Sequence, residues 1–518
     1  MTVKFIKSSE VPSLIKDGDT LAVEGFIGTG VAEEIHEAVE NYYDKNQHPK
    51  NITLMYAAGI GDGGNRGLNH YAKEGLVKRV IGGHWGLAPK LQPLVSENKI
   101  EAYNFPQGVI SQMFRDIAAK KPFLITKVGL GTFVDPDISG GKLNEVTKED
   151  LVTKMTFNGE DYLAYSLLQP NVAIMKGTYA DNQGNIAFDD EPLTLEATSL
   201  AMAVKNAGGI VIVQVKRRVL SGSLDPKLVK IPGLLVDYVV EVEDESKHMQ
   251  TFGTQFNSDF IKSDVVKSEG AIDVPLNERK VIARRSAQLI PADAKIVNYG
   301  IGMPEVISSV LKEEGANGKF TTTIEPGSFG GIPVGGLDFG AAISPESIID
   351  QSYMFDFYDG GGIDIAFLGL AECDKYGNIN VSKFGPKIAG AGGFINITQN
   401  TKNVIFCGTF TAGGLKTEVV NGEVIIKNEG KKSKFVENVE QITFSGKTAI
   451  SNKQNVFYVT ERAVFKLVPE GVELIEIAPG IDLEEDILAN MSFKPIISKE
   501  LKLMDQCIFS ENKMNLAY

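Results

Sequence analysis

The run Asp19-Thr20-Leu21-Ala22-Val23-Glu24-Gly25-Phe26-Ile27-Gly28 passes from a short apolar stretch into a glycine turn. A helical pattern follows over Glu33–Tyr43, with Ile35, Ala38, Val39 and Tyr42 on one face. Ile52–Ala57 is then a second short apolar run. The same alternation continues with candidate strands at Phe123–Val128, Val172–Lys176, Ile210–Val215 and Leu234–Val242. It resumes in the second half at Ile296–Tyr299, Phe320–Ile324, Ile363–Leu368, Val404–Phe410 and Val456–Val459. Strands separated by helices imply sheets that are mainly parallel and covered by helices, so the expected fold class is α/β.

The opening run has an echo. Asp293–Gly302 (DAKIVNYGIG) parallels Asp19–Gly28 (DTLAVEGFIG) at an offset of 302 − 28 = 274. Asn171-Val172-Ala173-Ile174 with the later Asp181-Asn182-Gln183-Gly184-Asn185-Ile186 is likewise echoed by Asp364–Phe367 with Asp374–Ile379. Those two matches share one offset, 366 − 173 = 378 − 185 = 193. D-x-x-G-N-I reads as a tight turn entering a strand. Unequal offsets require insertions, so the pattern is a diverged duplication and not a short-period array. The expected organisation is two tandem, similar α/β domains, 1–243 and 278–518. Residues 244–277, charged at first and then polar around Pro275, would join them.

Composition excludes several classes. A formal charge of −14 (52 basic against 66 acidic residues) argues against a general nucleic-acid binder, which needs a basic face for phosphates. The three cysteines, Cys373, Cys407 and Cys507, are far apart and lack CxxC spacing, which fits a reducing cytoplasm better than a disulfide framework. Charges at Lys4, Lys7, Glu10, Lys16 and Asp17 interrupt any signal-peptide core. No charge-free apolar run reaches the roughly 18 residues that span a bilayer. The chain is therefore expected to be cytoplasmic, without a membrane partner.

Glycine is enriched, 54 of 518 residues or about 10% against a usual ~7%, and it clusters beside apolar runs. Gly25–Gly30 and Gly300-Ile301-Gly302-Met303-Pro304-Glu305 each follow a strand and open a helix, where backbone N–H groups can face a phosphate. Neither completes a dinucleotide fingerprint, because Glu33 and Glu305 occupy the third-glycine position. Among the five histidines there is no H-x-x-x-H, and neither a G-x-S-x-G elbow nor a Walker A loop occurs. That pattern points away from metal catalysis, serine hydrolysis and P-loop chemistry.

Glu325 closes the β-branched run Thr321-Thr322-Thr323-Ile324 and is followed by Pro326-Gly327-Ser328-Phe329-Gly330-Gly331. An acid at the carboxyl end of a parallel strand faces the side where open α/β sheets bind ligands. Three readings compete from the residues alone: a carboxylate capping a turn, the ribose-binding acid of a dinucleotide site 23 residues after Gly302, and a carboxylate nucleophile. Lys387–Phe394, with Gly390, Ala391, Gly392 and Gly393, can offer loop amides to an oxyanion or merely permit close packing. Gln107, in Asn104-Phe105-Pro106-Gln107-Gly108, reads by itself as a solvated turn residue.

Taken in order along the chain, Pro106-Gln107-Gly108, Val128–Thr132, Gly300–Gly302, Ile324–Gly327, Phe355–Gly362, Gly390–Phe394 and Phe406–Thr411 resemble family I coenzyme A transferases, the propionate/acetate branch. The resemblance covers essentially the whole chain. It implies that Glu325 is the covalent nucleophile, and that Gln107 with Gly392 or Gly393 forms the oxyanion site. It also implies coenzyme A contacts at Gly300, Ile301, Gly302, Met303, Gly390 and Ala391. Substrates would be acyl-CoA and short carboxylates (acetate, propionate, butyrate or lactate), with no cofactor beyond coenzyme A, no metal, and a homodimer or homotetramer as the assembly. The family's 3-ketoacid enzymes carry S-E-N-G where this chain has Ile324-Glu325-Pro326-Gly327, which turns the expected substrate away from ketoacids. The alternatives are an acyl-CoA hydrolase on the same scaffold and a non-catalytic coenzyme A- or nucleotide-binding protein.

Overall fold

The computed structural model describes residues 3–263, 274–316 and 318–516, so 264–273 of the expected linker lie outside the described residues. The chain divides by its internal contacts into two compact units. The first holds the N-terminal residues together with Ile324–Asp356 and Lys383–Asn396. Among the described residues the second holds 274–323, Phe357–Ser382 and the chain from Ile397 onward. The division at 278 read from the sequence assigns Glu325 to the C-terminal half, whereas its contacts group it with the N-terminal residues.

In the first unit the main sheet runs in the order Lys4–Ile6, Tyr238–Glu241, Ile210–Val219, Val172–Asp181, Thr20–Val23, Ile52–Tyr56, Val77–Gly82, Glu101–Asn104. Every pairing along this path is parallel. Val172–Asp181 pairs on both sides, with Ile210↔Val172 through Val219↔Asp181 on one and Leu21↔Val172 on the other. Its residues alternate between two cores. Ala173 and Met175 join Val211 and Val213 beneath the helices Gln107–Ala118 and Ala197–Asn206. Val172 and Ile174 join Ile212 and Val240 against Ile35 and Val39 of helix Glu33–Asn46. Each fully buried aliphatic side chain contributes about 1.5–3 kcal/mol, so a sheet covered on both faces is stable only when it is apolar throughout.

Phe123–Thr126, expected as part of such a sheet, instead belongs to a separate antiparallel sheet with Glu160–Ser166 and Val152–Phe157. Its flanks are polar and Phe123 and Ile125 stay exposed, so it lacks the two-sided burial of a central parallel strand.

In the second unit Thr321–Ile324, Ile296–Tyr299, Ile365–Gly369, Asn403–Cys407 and Asn455–Val459 lie in parallel order. Ala463–Val468 and Gly471–Ile477 extend the sheet antiparallel, an addition the strand–helix alternation did not reveal. The two D-x-x-G-N-I turns have the same hydrogen bonds. Asp181 accepts from the Gln183 and Asn185 amides and from Asn185 Nδ2. Asp374 accepts from the Tyr376 and Asn378 amides and from Asn378 Nδ2. Among the described residues no helix is long and apolar enough to cross a membrane.

Thr321–Thr323 pair with Ile296–Asn298, and their β-branched side chains favour the extended backbone that carries the chain to Glu325. Gly327 then turns back. Its amide donates to the Ile324 carbonyl at 3.0 Å, and its own carbonyl accepts from Ile349 at 2.9 Å. Gly327 has φ +134°, and a Cβ there would lie 2.0 Å from the Ile349 carbonyl oxygen. Gly327→Ala is accordingly expected to cost more than about 1 kcal/mol and lower the thermal unfolding midpoint. Gly369→Ala, where φ is not positive and a Cβ meets open space, should leave the midpoint near that of the parent.

Candidate active site

Glu325 emerges where the strand Thr321–Ile324 stops. Ile324 is buried among Phe26, Ile27, Leu193 and Leu195, which fixes the point from which the carboxylate projects. The Glu325 side chain keeps part of its surface open, yet it is surrounded closely enough that desolvation pushes its carboxyl up to about 7. Its own backbone amide offsets this in part, and no cation contributes. Among the described residues its carboxylate accepts no hydrogen bond from another residue, so it does not serve as a cap for a turn or helix.

Gln107 is not a solvated loop residue. It is the first residue of the helix Gln107–Ala118 and is 2% exposed. Its backbone N–H donates to the Gly392 carbonyl at 2.9 Å, and its side-chain Nε2 donates to Gln351 Oε1 at 3.0 Å. The adjacent Gly108 amide donates to Asn396 Oδ1 at 3.1 Å. The helix start is thus held directly against the glycine loop that the sequence singled out.

That loop is clipped down along its length. The Ala391 amide donates to Asn104 Oδ1 at 2.9 Å, and the Gly392 amide donates to the Gly83 carbonyl at 2.7 Å. Gly390 has φ +81° and a Cβ there would come within 2.9 Å of the His84 backbone. The Gly392 N–H is therefore committed to the fold, while the Gly393 N–H has no such bond among the described residues. A point one bond beyond Gly392 Cα lies 3.6 Å from the His84 ring and 3.7 Å from Gln107 Oε1, so these two side chains share one corner of the loop.

His84 went unrecognised from sequence, where the histidines were weighed only as metal ligands. Burial holds its imidazole down to about 4, so it is neutral, and its Nδ1 has no hydrogen-bond partner. The flanking Gly82-Gly83-His84-Trp85-Gly86 was the available signal.

Two further acids were missed, Glu24 and Glu196, each 1% exposed. Burial, with Glu196 as the next contribution, drives the Glu24 carboxyl well above its ordinary range. Burial and then Asp350 push Glu196 up to about 8. Gly300, Ile301, Gly302 and Met303 belong to the second unit. There the Gly300 amide donates to the Phe367 carbonyl at 2.8 Å, and the Gly302 carbonyl accepts from Arg279 at 3.1 Å. The first unit brings together Gln107 and Gly390–Gly393, and it also contains Glu325.

The arrangement offers a desolvated, uncapped carboxylate, a buried carboxamide and a constrained glycine loop. These are parts suited to acyl transfer through an acid nucleophile. Residues 8–242 match the model of a family described as Coenzyme A transferase. The chain is 48% identical over 514 residues to the caffeate CoA-transferase of Acetobacterium woodii, covering 98% of both chains. It is 44% identical over 515 residues to the acetate CoA-transferase YdiF of Escherichia coli O157:H7, covering 99% of this chain and 96% of that one. Crystal structures of that acyl-CoA transferase, as the apoenzyme and as a thioester complex with CoA, each superpose with a TM-score of 0.93. Their identities are 43% and 42%, and each alignment covers 100% of this chain and 98% of the other. With such similarity along nearly its whole length, the chain belongs to the coenzyme A transferase family.

Proposed function

We propose that the protein moves coenzyme A reversibly between a short-chain acyl-CoA and a free carboxylate, with Glu325 as the covalent carrier. The observation that carries this reading is the Glu325 carboxylate itself, projecting from a strand end with no capping bond and no cation beside it. A carboxylate with little hydration to shed is a better nucleophile than one in water.

The steps balance without a metal or ATP. A Glu325 oxygen attacks the thioester carbonyl, the C–S bond breaks, and coenzyme A leaves as thiolate, giving an acyl–glutamyl anhydride. The thiolate then attacks the glutamyl carbonyl and expels the acyl group as a free carboxylate, leaving a glutamyl thioester. An incoming carboxylate reverses both steps. Each tetrahedral stage carries an oxyanion that needs donors. One Gln107 Nε2 hydrogen is committed to Gln351, which leaves the second for that oxyanion. The Gly393 amide is the better loop donor, because the Gly392 N–H is bonded to Gly83.

Relatives support the chemistry and widen the substrate question. The thioester complex of the acetate enzyme fits a thioester intermediate. The 44% identity to an acetate enzyme favours acetate as an acceptor, and the 48% identity to a caffeate enzyme favours testing an aromatic acrylate beside it. Measuring acceptor-dependent turnover with acetate, propionate and caffeate against thiol release without acceptor separates transferase from hydrolase. Turnover that is independent of any acceptor would replace the transferase reading with the hydrolase.

Because the Glu325 carboxyl is pushed up to about 7, it is protonated and unreactive below that pH. The kcat/KM for acyl-CoA is expected to fall about tenfold per pH unit below 7 and to level above it. A limb near 4.5 would show an ordinary solvated carboxylate. Glu325→Gln is expected to abolish turnover, by at least about 10⁴-fold. Gln107→Ala is expected to lower kcat by about 10²–10³-fold with a smaller change in KM, as steady-state kinetics would show.

A further inference from the structure

Gln107, Gln351 and Glu196 form a hydrogen-bond chain with a direction. Gln107 Nε2 donates to Gln351 Oε1 at 3.0 Å, and Gln351 Nε2 donates to Glu196 Oε2 at 2.8 Å. All three side chains are buried, at 2%, 0% and 1% exposure. A primary amide has nearly the same shape at both ends, so only its partners decide which end is nitrogen. The Glu196 oxygen that meets Gln351 is an acceptor, so Gln351 must turn its nitrogen there and its oxygen toward Gln107. Gln107 must then turn its nitrogen toward Gln351.

From this geometry we infer that Glu196 is a positioning residue which, acting through Gln351, fixes the direction of the Gln107 carboxamide and so places an N–H where the reacting oxyanion needs a donor. The inference rests on the reading of Gln107 as an oxyanion donor. If Glu196 offered a nitrogen instead, Gln351 could reverse, and Gln107 would present oxygen where nitrogen now stands. An oxygen near a developing oxyanion repels it.

Two independent features agree. The first is a clasp between neighbouring residues. Thr194 Oγ1 donates to Asp350 Oδ1 at 2.6 Å, and the Gln351 amide donates to the Leu195 carbonyl at 2.8 Å. Glu196 therefore meets Gln351 through a three-residue segment that also holds Gln351's backbone. Within that segment Leu195 has φ +44°, a conformation costly for a branched apolar residue and one that persists where surrounding contacts enforce it. The second is the acid itself. Glu196 Oε1 makes no hydrogen bond of ordinary geometry, so the fold carries a buried carboxyl that a glutamine could replace in shape at lower desolvation cost. Burial pushes this carboxyl up to about 8; the carboxylate accepts at Oε2, and the neutral acid keeps the same direction with its proton on Oε1 and Oε2 as the acceptor.

A double-mutant cycle on the full-length enzyme tests this, with kcat, KM and the thermal midpoint measured for each variant. Glu196→Gln is expected to lower kcat roughly tenfold or more, to leave KM within a few-fold, and not to lower the midpoint. In a Gln107→Ala background the same substitution should cost less than about twofold, since the amide it orients is gone. Glu196→Gln combined with Gln351→Glu restores an acceptor for Gln107 Nε2 and should recover most of the loss. Gln351→Ala, paired with Gln107→Ala, runs the same cycle if Glu196→Gln does not accumulate as folded protein. Equal losses in both backgrounds, or an unchanged kcat in Glu196→Gln while Gln107→Ala is impaired, would overturn the positioning role alone. Full activity in Gln107→Ala would remove the oxyanion reading and this inference with it.

Discussion

The site depends on a carboxylate taken out of water with no cation to compensate it. For Glu325 burial pushes the pKa up, and only its own amide opposes it. A lysine or arginine beside it would lower that pKa and also quench its nucleophilicity. The surroundings instead withhold charge. Ile324 is anchored among apolar side chains, and Gly327 turns the chain back so tightly that no Cβ fits against Ile349. The strand before Glu325 and the turn at Gly327 after it thus hold an ionisable group where ionising is costly.

Two other acids of the first unit are buried with a different outcome. Glu24 and Glu196 are more deeply buried than Glu325 and held further toward the neutral form. Glu196 accepts from Gln351 Nε2 at 2.8 Å.

Much of the fold was legible because parallel strands are read by local pattern. Ile296–Tyr299 was bounded correctly, and Ile52–Ala57 and Val456–Val459 were bounded within a residue, since two-sided burial demands continuous apolar runs. The antiparallel strands Ala463–Val468 and Gly471–Ile477, and the small sheet around Glu160–Ser166, were not legible. Their pairing is set by tight turns and partial exposure, which leave no strand–helix alternation. Glu325 stood out for its place at a strand end, but choosing among a cap, a ribose contact and a nucleophile from residues alone was impossible. Among the described residues no other residue donates to its carboxylate, which removes the cap. Gln107 read as solvated because nothing local shows that a loop near residue 392 closes over it. Glu196 and Gln351, 155 residues apart, left no spacing signal at all.

The central claim is that Glu325 is acylated and then carries coenzyme A. The most direct measurement is peptide mass spectrometry of the enzyme after incubation with a short acyl-CoA and no acceptor. The account predicts a coenzyme A adduct confined to the peptide containing Glu325, lost on treatment with hydroxylamine or with an acceptor carboxylate, and absent from Glu325→Gln. An adduct on another residue, or full turnover by Glu325→Gln with no adduct anywhere, would contradict it.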